Sequence, residues 1–121
     1  MKIIKYHPVL HKQIIDFCAK ALEAGFTVVY PTDTCYGIAC DPASKTGMKK
    51  FYNAKERTTT QPVHVIVADK AAAKKLVIWN KVAELLAKQF WPGPLSLVLP
   101  LRVEAKLLTT FSAGTQTLGI R

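Results

Sequence analysis

The chain has 121 residues, half of them hydrophobic, and its 17 lysines and arginines against 8 acids give a formal net charge of +9. This length allows one domain at most, the composition excludes a disordered chain, and no apolar run approaches the roughly 20 residues that span a bilayer. The three cysteines form neither an even disulfide set nor a CxxC pair, so we expect a reducing, cytoplasmic location.

The first third of the chain predicts a strand, a helix and a second strand. Lys2–Tyr6 alternates enough for a short strand, and after Pro8 apolar residues recur at helical spacing as far as Gly25, where a helix would end. Phe26–Tyr30 is rich in β-branched and aromatic residues, which is typical of a buried strand. Pro31 is expected to end that strand because it has no N–H for a sheet ladder.

The stretch after this strand is the first candidate site. Thr32–Thr34 places three short oxygen-bearing side chains at the carboxyl end of the strand, the edge where open α/β sheets usually bind ligands. The same residues could instead form only a turn in which the hydroxyls bind local amides. Cys35 could serve as a nucleophile with His64 as its base, but the flanking sequence offers no fixed cation to activate the thiol.

The middle of the chain predicts a helix, a basic loop and a strand. Ser44 or Thr46 can cap the helix, which fades at Lys55–Arg57. Thr58–Pro62 cannot hold a helix and predicts a loop. Val63–Val67 predicts a strand in which only His64 is polar.

The remainder of the chain predicts two helices and two strands. In order, they are a short helix from Asp69 to Leu76, a helix from Asn80 to Phe90, and the strands Leu95–Leu99 and Thr117–Ile120. The second helix is expected to bury Val82, Leu85, Leu86 and Phe90. Because strands and helices interleave, the fold class is α/β, with a twisted, open mixed sheet flanked by helices.

The positive charge is concentrated in the later part of the chain. Residues 1–44 carry four lysines against four acids, whereas residues 45–121 carry thirteen lysines and arginines against four acids. Such an excess favours a polyanionic ligand, either nucleotide phosphates or a nucleic acid backbone. The alternative is a lysine-rich surface that serves only solubility. Neither a P-loop nor a GxGxxG fingerprint is present.

Four segments in order resemble the YrdC/YciO-like family: YPTDTCYGIACD at 30–41, KERTTTQPV at 55–63, FWPGPLSLVLP at 90–100 and TLGIR at 117–121. The characterised members of this family include threonylcarbamoyl-AMP synthases, which are nucleotidyltransferases. They condense L-threonine, bicarbonate and ATP into threonylcarbamoyl-adenylate with release of pyrophosphate, the first step in making the threonylcarbamoyl-adenosine of tRNA. The resemblance therefore implies an L-threonylcarbamoyladenylate synthase-type function.

The resemblance also implies the residues that bind the substrates. Those for L-threonine are Thr32, His64 and Arg121, and those for the nucleotide are Lys55, Arg57, Gln61 and Thr117. Mg²⁺ would accompany ATP through its phosphates, with no metal site of the protein's own and no assigned catalytic side chain. Two departures stand out: the family commonly has Lys or Asn where Gln61 stands, and several relatives carry a histidine two positions after His64.

The family pattern continues beyond Arg121 into a Ser-x-Asn segment that contacts the nucleotide. The resemblance thus implies that residues 1–121 are the amino-terminal part of a YrdC-like domain, truncated after Arg121. We expect an unpaired sheet edge that could support a homo-oligomer, and weak or no activity of the chain alone. Two alternatives are a noncatalytic module that binds tRNA or double-stranded RNA, and a related activity that uses carbamoyl phosphate.

Overall fold

The computed structural model describes residues 1–105 and 114–121. The chain divides into two compact units, Met1–Glu56 and Arg57–Arg121. The first contains a short 3₁₀ turn (Pro8–Leu10), α1 (His11–Glu23), β1 (Val28–Pro31), β2 (Tyr36–Ala39) and α2 (Lys45–Ala54). The second contains β3 (His64–Val65), α3 (Lys70–Leu76), α4 (Lys81–Phe90), β4 (Leu97–Pro100) and β5 (Thr117–Ile120).

The first unit is built on an antiparallel ribbon of β1 and β2, in which Tyr30 lies opposite Gly37. Its buried side chains come mainly from α2, where Met48, Phe51 and Tyr52 are each less than a tenth exposed. Ser44 caps this helix through a hydrogen bond from the Gly47 amide to its Oγ at 3.1 Å. Of the two predicted caps, the serine is therefore the one used.

Helix α1 is confirmed, and its end at Gly25 follows from backbone geometry. Gly25 has a φ of +75°, a conformation that favours glycine, and its amide donates to the Leu22 carbonyl at 2.9 Å. The predicted strand at Lys2–Tyr6 is wrong, because residues 1–7 form no regular element and pair with no strand. An alternating pattern of five residues cannot create a strand without a partner.

The strand predicted at Phe26–Tyr30 is present but shifted. It begins at Val28 and includes Pro31, which lies opposite Tyr36 at the end of the ribbon. A proline is tolerated there because β1 is an edge strand and needs no further N–H. Strand β2 was not predicted, since it forms only by pairing with β1 across a four-residue turn.

The second unit contains a three-stranded mixed sheet in the order β3-β5-β4. The central strand β5 runs parallel to β3 and antiparallel to β4. One face of this sheet is buried, and it carries Leu97, Leu99, Leu118 and Ile120, none more than 7% exposed. The α/β class and the open mixed sheet are therefore confirmed.

Helices α3 and α4 begin where the sequence predicts. The Asp69 carboxylate accepts a hydrogen bond from the Ala72 amide at 2.7 Å, and the Asn80 side chain accepts one from the Ala83 amide at 2.8 Å. Strand β3 is shorter than the predicted Val63–Val67, because only His64 and Val65 pair with β5 as strand residues.

The buried face of α4 differs from the predicted one. Val82 and Leu85 are 63% and 68% exposed, and Phe90 is also exposed, whereas Ala83 and Ala87 are fully buried. The helix therefore turns small side chains inward and leaves most of its larger apolar ones on the surface. Only Leu86 among the predicted four is half-buried.

Glu84 links helices α3 and α4. Its carboxylate accepts hydrogen bonds from Lys70 at 2.7 Å, from Lys74 at 3.0 Å and from the indole Nε1 of Trp79 at 2.8 Å. The hydrogen bond from Lys70, followed by those from Lys74 and Trp79, lowers the pKa of Glu84 from 4.5 to about 2.

Within the described residues, no helix has the length and apolar character required to span a bilayer.

Candidate functional site

The face of the β3-β5-β4 sheet opposite the buried one carries three of the predicted site residues. Side chains alternate along a strand, so Thr117 and Arg121 of the β5 segment lie on the face away from buried Leu118 and Ile120. His64 of β3 is paired with Gly119, which belongs to this same face. The sheet thus brings together residues that lie more than fifty positions apart in the sequence.

The His64 side chain lies across the central strand. Its ring occupies the space above Gly119, where an added Cβ would collide with the ring carbon Cδ2 and come within 3.0 Å of Nε2. On the far side, Nδ1 lies 3.3 Å from the hydroxyl of Ser96, just before β4. The imidazole therefore reaches from β3 over β5 to the start of β4.

Arg121 is fixed through both its backbone and its side chain. Its amide donates to the Val65 carbonyl and its carbonyl accepts from the Val67 amide, each at 2.9 Å, which places Arg121 beside Ile66. The guanidinium Nε donates to the Gly93 carbonyl at 3.2 Å. An arginine held in this way presents a planar fork suited to a carboxylate.

Position 66, where several relatives carry a histidine, lies beside Arg121. Ile66, two residues after His64, is 57% exposed and is the residue next to Arg121 across the ladder. His64 lies one row further along, beside Gly119, a displacement of about 6.6 Å at 3.3 Å per residue. A role for His64 in this chain therefore depends on its own surroundings, and cannot be transferred from a histidine at position 66.

The Thr32 hydroxyl belongs to the turn between β1 and β2. It donates to the Cys35 carbonyl at 2.6 Å and accepts from the amides of Thr34 and Cys35, each at 3.2 Å. A hydroxyl has one hydrogen and two lone pairs, so these three hydrogen bonds engage its full capacity, and the Thr34 hydroxyl makes a further contact at 3.2 Å. The local-turn interpretation accounts for this hydroxyl, and a contact between Thr32 and L-threonine stays a prediction.

The remaining predicted residues are the basic and amide side chains around the unit boundary. Lys55 follows α2 in the first unit, with its Nζ 5.4 Å from the ring centre of Phe51. Arg57 and Gln61 are exposed residues of the second unit. The backbone N–H of Gln61 donates to the Thr58 carbonyl at 3.1 Å and helps to close the loop that holds both residues. Their nucleotide roles stay predictions.

The seven predicted residues divide between the two units. Thr32 and Lys55 belong to the first, and the other five to the second, where His64, Thr117 and Arg121 share a sheet face. The proposed pair of Cys35 and His64 is likewise divided. Burial, followed by the nearby Asp41 carboxylate, raises the pKa of the Cys40 thiol.

Two residues of this face were not singled out from the sequence. Ser96 precedes β4 and contacts His64, and Gly119 provides the space for its ring. A glycine inside a strand pattern does signal a close approach of another group, so Gly119 carried a usable signal. Ser96 carried none, because its contact depends on sheet order.

Comparison with known proteins identifies relatives of the chain. A family model described as "Telomere recombination" (Sua5_yciO_yrdC) matches residues 20–121. The threonylcarbamoyl-AMP synthase of Bacillus subtilis is 36% identical over 104 residues, which are 85% of this chain and 30% of that protein. A putative threonylcarbamoyl-AMP synthase of Methanocaldococcus jannaschii is 31% identical over 99 residues, 82% of this chain and 48% of that protein. The matched part of the chain thus spans 30% to 48% of these relatives' length.

Solved structures agree with this relationship. Pyrococcus abyssi Sua5, determined in complex with L-threonine, superposes with a TM-score of 0.83 at 29% identity, covering 99% of this chain and 33% of that one. Escherichia coli YciO superposes with a TM-score of 0.77 at 22% identity over 91% of this chain and 53% of that one, which shows a shared fold. From the family match and these relatives, we conclude that the chain belongs to the Sua5/YciO/YrdC family.

Proposed function

We propose that this chain carries the L-threonine-binding part of a threonylcarbamoyl-AMP synthase, which condenses L-threonine, bicarbonate and ATP with release of pyrophosphate. The observation that carries the proposal is the exposed face of the β3-β5-β4 sheet, where Arg121 is anchored beside the strand that bears His64. The names of the relatives and the L-threonine complex of Pyrococcus abyssi Sua5 support it.

The proposed reaction needs positioning more than it needs a strong nucleophile. The amine of threonine takes up carbon dioxide to form a carbamate, whose oxygen attacks the α-phosphorus of ATP while pyrophosphate leaves. Holding the reactants together and stabilising phosphate charge supply most of the rate enhancement for such a transfer. Arg121 would bind the threonine carboxylate, and Lys55 and Arg57 would neutralise the triphosphate.

A magnesium ion would travel with the nucleotide. Among residues 1–105 and 114–121, no group of three histidine, cysteine or acidic side chains is placed to hold a metal ion. We propose that the phosphates of ATP would bind the ion, which is usual for Mg²⁺. Lys55 and Arg57 would contribute positive charge, and Gln61 and Thr117 would contact and orient the nucleotide.

Calorimetric titration with L-threonine tests the amino acid site. We expect Arg121→Gln to weaken binding by at least about tenfold, because a charge-assisted pair to a carboxylate contributes about 1.5–3 kcal/mol. The matched control is Arg102→Gln, since Arg102 also donates its Nε to a backbone carbonyl, that of Val77, at 3.3 Å. Equal losses in both variants, or no loss in either, would contradict the proposal.

Titration with a non-hydrolysable ATP analogue tests the nucleotide site. Arg57→Ala should weaken nucleotide binding and leave the affinity for L-threonine unchanged. Release of pyrophosphate that depends on both threonine and bicarbonate tests the full reaction. An unchanged nucleotide affinity in Arg57→Ala would reject the role given to that residue.

RNA binding is the second candidate, and one observation favours it. Helices α3 and α4 carry five lysines, at positions 70, 74, 75, 81 and 88, although two of them pair with Glu84. An RNA module would bind with an affinity that falls steeply with salt and does not respond to ATP or threonine. A tRNA titration at two salt concentrations, with and without these substrates, separates the two functions.

A further inference from the structure

We propose that the outward face of helix α4 docks an acidic amphipathic helix of a protein partner. This face consists of Val82, Leu85, Leu86 and Phe90, which together we call the α4 stripe, and two lysines lie along one side of it. The inference goes beyond the proposed function and does not rest on it, because none of these residues is assigned to L-threonine or to the nucleotide.

The α4 stripe is an apolar surface that the core of the second unit does not use. Its residues have the helical spacing i, i+3, i+4 and i+8, which is typical of a helix face that packs against protein. Val82 and Leu85 are nevertheless 63% and 68% exposed, and Phe90 is 45% exposed. Two buried alanines form the inward face of the helix instead. Within residues 1–105 and 114–121, the stripe therefore stays largely open to solvent.

Lys81 and Lys88 add positive charge along one side of the stripe. They lie four residues before and three residues after Leu85, so both are its neighbours on the helix surface. Both lysines are exposed, and among the described residues neither forms an ion pair. The centre of the stripe is therefore bordered by two positive charges without a partner in this part of the chain.

Glu84 has the right spacing to neutralise these lysines, but its carboxylate is already engaged. It lies three residues after Lys81 and four before Lys88, a separation that permits ion pairs on a helix. Its Oε1 instead pairs with Lys70 at 2.7 Å and its Oε2 with Lys74 at 3.0 Å, both on α3. The positive charge beside the stripe is thus left for an acid of another molecule.

Charge complementarity identifies the occupant. Helices α3 and α4 carry five lysines and one glutamate, and the whole chain has a net charge of +9. A second copy of the chain would set lysine against lysine, and like charges across an interface oppose binding. An RNA would pair its phosphates with the lysines but would gain nothing from the apolar stripe. A protein segment with apolar residues between acidic flanks complements both features.

The geometry of the stripe favours a helix as the docking segment. Rows of side chains four residues apart on one helix pack into the grooves of another. Helix α4 has 10 residues, a length of about 15 Å, so about three turns of a partner helix would cover it. Lys81 and Lys88 are one heptad apart, about 10.5 Å along the axis. The partner helix should therefore carry two acids with the same separation beside its own apolar stripe.

A synthetic acidic peptide tests the docking surface directly. The probe is a helical peptide of about 21 residues, long enough to hold a helix in water, with leucines at alternating three- and four-residue spacing, glutamates on both flanks and alanines elsewhere. Fluorescence anisotropy of the labelled peptide gives its affinity for the chain. The wild type should bind it at least about tenfold more tightly than a peptide of the same composition with the leucine spacing scrambled. Backbone amide NMR signals of residues 81–90 should shift on binding.

Substitution at the centre of the stripe tests its apolar part. Leu85→Glu replaces an apolar contact with a charge that repels the peptide, and it should weaken binding by at least about tenfold. Val103→Glu is the matched control, because Val103 is 87% exposed in the same unit. This control should change the affinity by less than about twofold. Urea titration confirms that each variant folds.

Charge reversal provides a second test that does not depend on Leu85→Glu. The double variant Lys81→Glu with Lys88→Glu should lose the glutamate-flanked peptide and bind a lysine-flanked version at least about tenfold more tightly than the wild type does. Lys12→Glu with Lys49→Glu makes the same change in net charge on the first unit. If this control exchanged its peptide preference to the same degree, net charge rather than the border of the stripe would be responsible, and the inference would be wrong.

The remaining outcomes identify a different occupant and would each overturn the inference. Equal affinity for the patterned and scrambled peptides, or unchanged amide signals at residues 81–90, would show that the stripe docks no helix. Self-association of the wild type in sedimentation, abolished by Leu85→Glu, would make a second copy the occupant. A tRNA affinity that falls in the double lysine variant and not in Leu85→Glu, without peptide binding, would make the face an RNA surface. None of these results depends on whether the chain binds L-threonine or ATP.

Discussion

Replacing Thr32 with valine removes a hydroxyl and keeps the shape of the side chain. The hydroxyl organises the β1–β2 turn through one donated hydrogen bond, at 2.6 Å to the Cys35 carbonyl, and two accepted ones from the Thr34 and Cys35 amides. Because the turn is exposed, water can replace the lost partners. We therefore expect a net local loss of about 1 kcal/mol, near the middle of the range for one hydrogen bond.

Amide hydrogen exchange measures this loss where it occurs. A loss of about 1 kcal/mol raises the opening equilibrium about fivefold, so the Thr34 and Cys35 amides should exchange about fivefold faster in Thr32→Val. Thr27→Val, in the same unit but outside the turn, is the matched control and should leave these two amides unchanged. Exchange within about twofold of wild type in Thr32→Val would refute the assignment of this hydroxyl to the turn.

Three further predictions concern the second unit. Leu118→Ala should lower the free energy of unfolding in urea by about 2–5 kcal/mol, because Leu118 is only 1% exposed and its truncation leaves a cavity; a loss below about 1 kcal/mol would contradict its place in the core. Glu84 has a lowered pKa, so its contribution to stability is complete above pH 4.5 and is lost as the pH falls toward about 2. Urea titrations across this pH range should show that acid lowers the free energy of unfolding less in Glu84→Gln than in the wild type. The same dependence of that free energy on pH in both proteins would refute the lowered pKa. Asn80→Ala should cost about 1 kcal/mol through its lost cap, whereas Asn53→Ala, inside α2, should not destabilise the second unit.

Helix boundaries were predictable because they depend on local chemistry. Ser44, Asp69 and Asn80 cap helices as expected, since a short polar side chain before a periodic apolar segment satisfies amides only a few residues away. The buried face of α4 was not predictable from hydrophobicity. Ala83 and Ala87 are buried there while Val82, Leu85 and Phe90 stay exposed, so side-chain hydrophobicity alone does not identify the face that turns inward.

The candidate site was likewise predictable only in part. The resemblance to the family pointed to His64, Thr117 and Arg121, and the sheet places all three on one face. No spacing in the sequence could show that β3 pairs in parallel with β5, with more than fifty residues between them. The register of that pairing puts Ile66 rather than His64 beside Arg121, and it creates the contact between His64 and Gly119.

The hydrogen bond from Trp79 to Glu84 gives this chain an intrinsic optical probe. Both tryptophans of the sequence, Trp79 and Trp91, lie in the second unit, with ring centres 5.8 Å apart. Fluorescence emission therefore reports the unfolding of Arg57–Arg121, whereas the first unit must be followed through its tyrosines. Protonation of the Glu84 carboxylate removes the negative charge that faces the indole N–H, so the emission spectrum should change with acid.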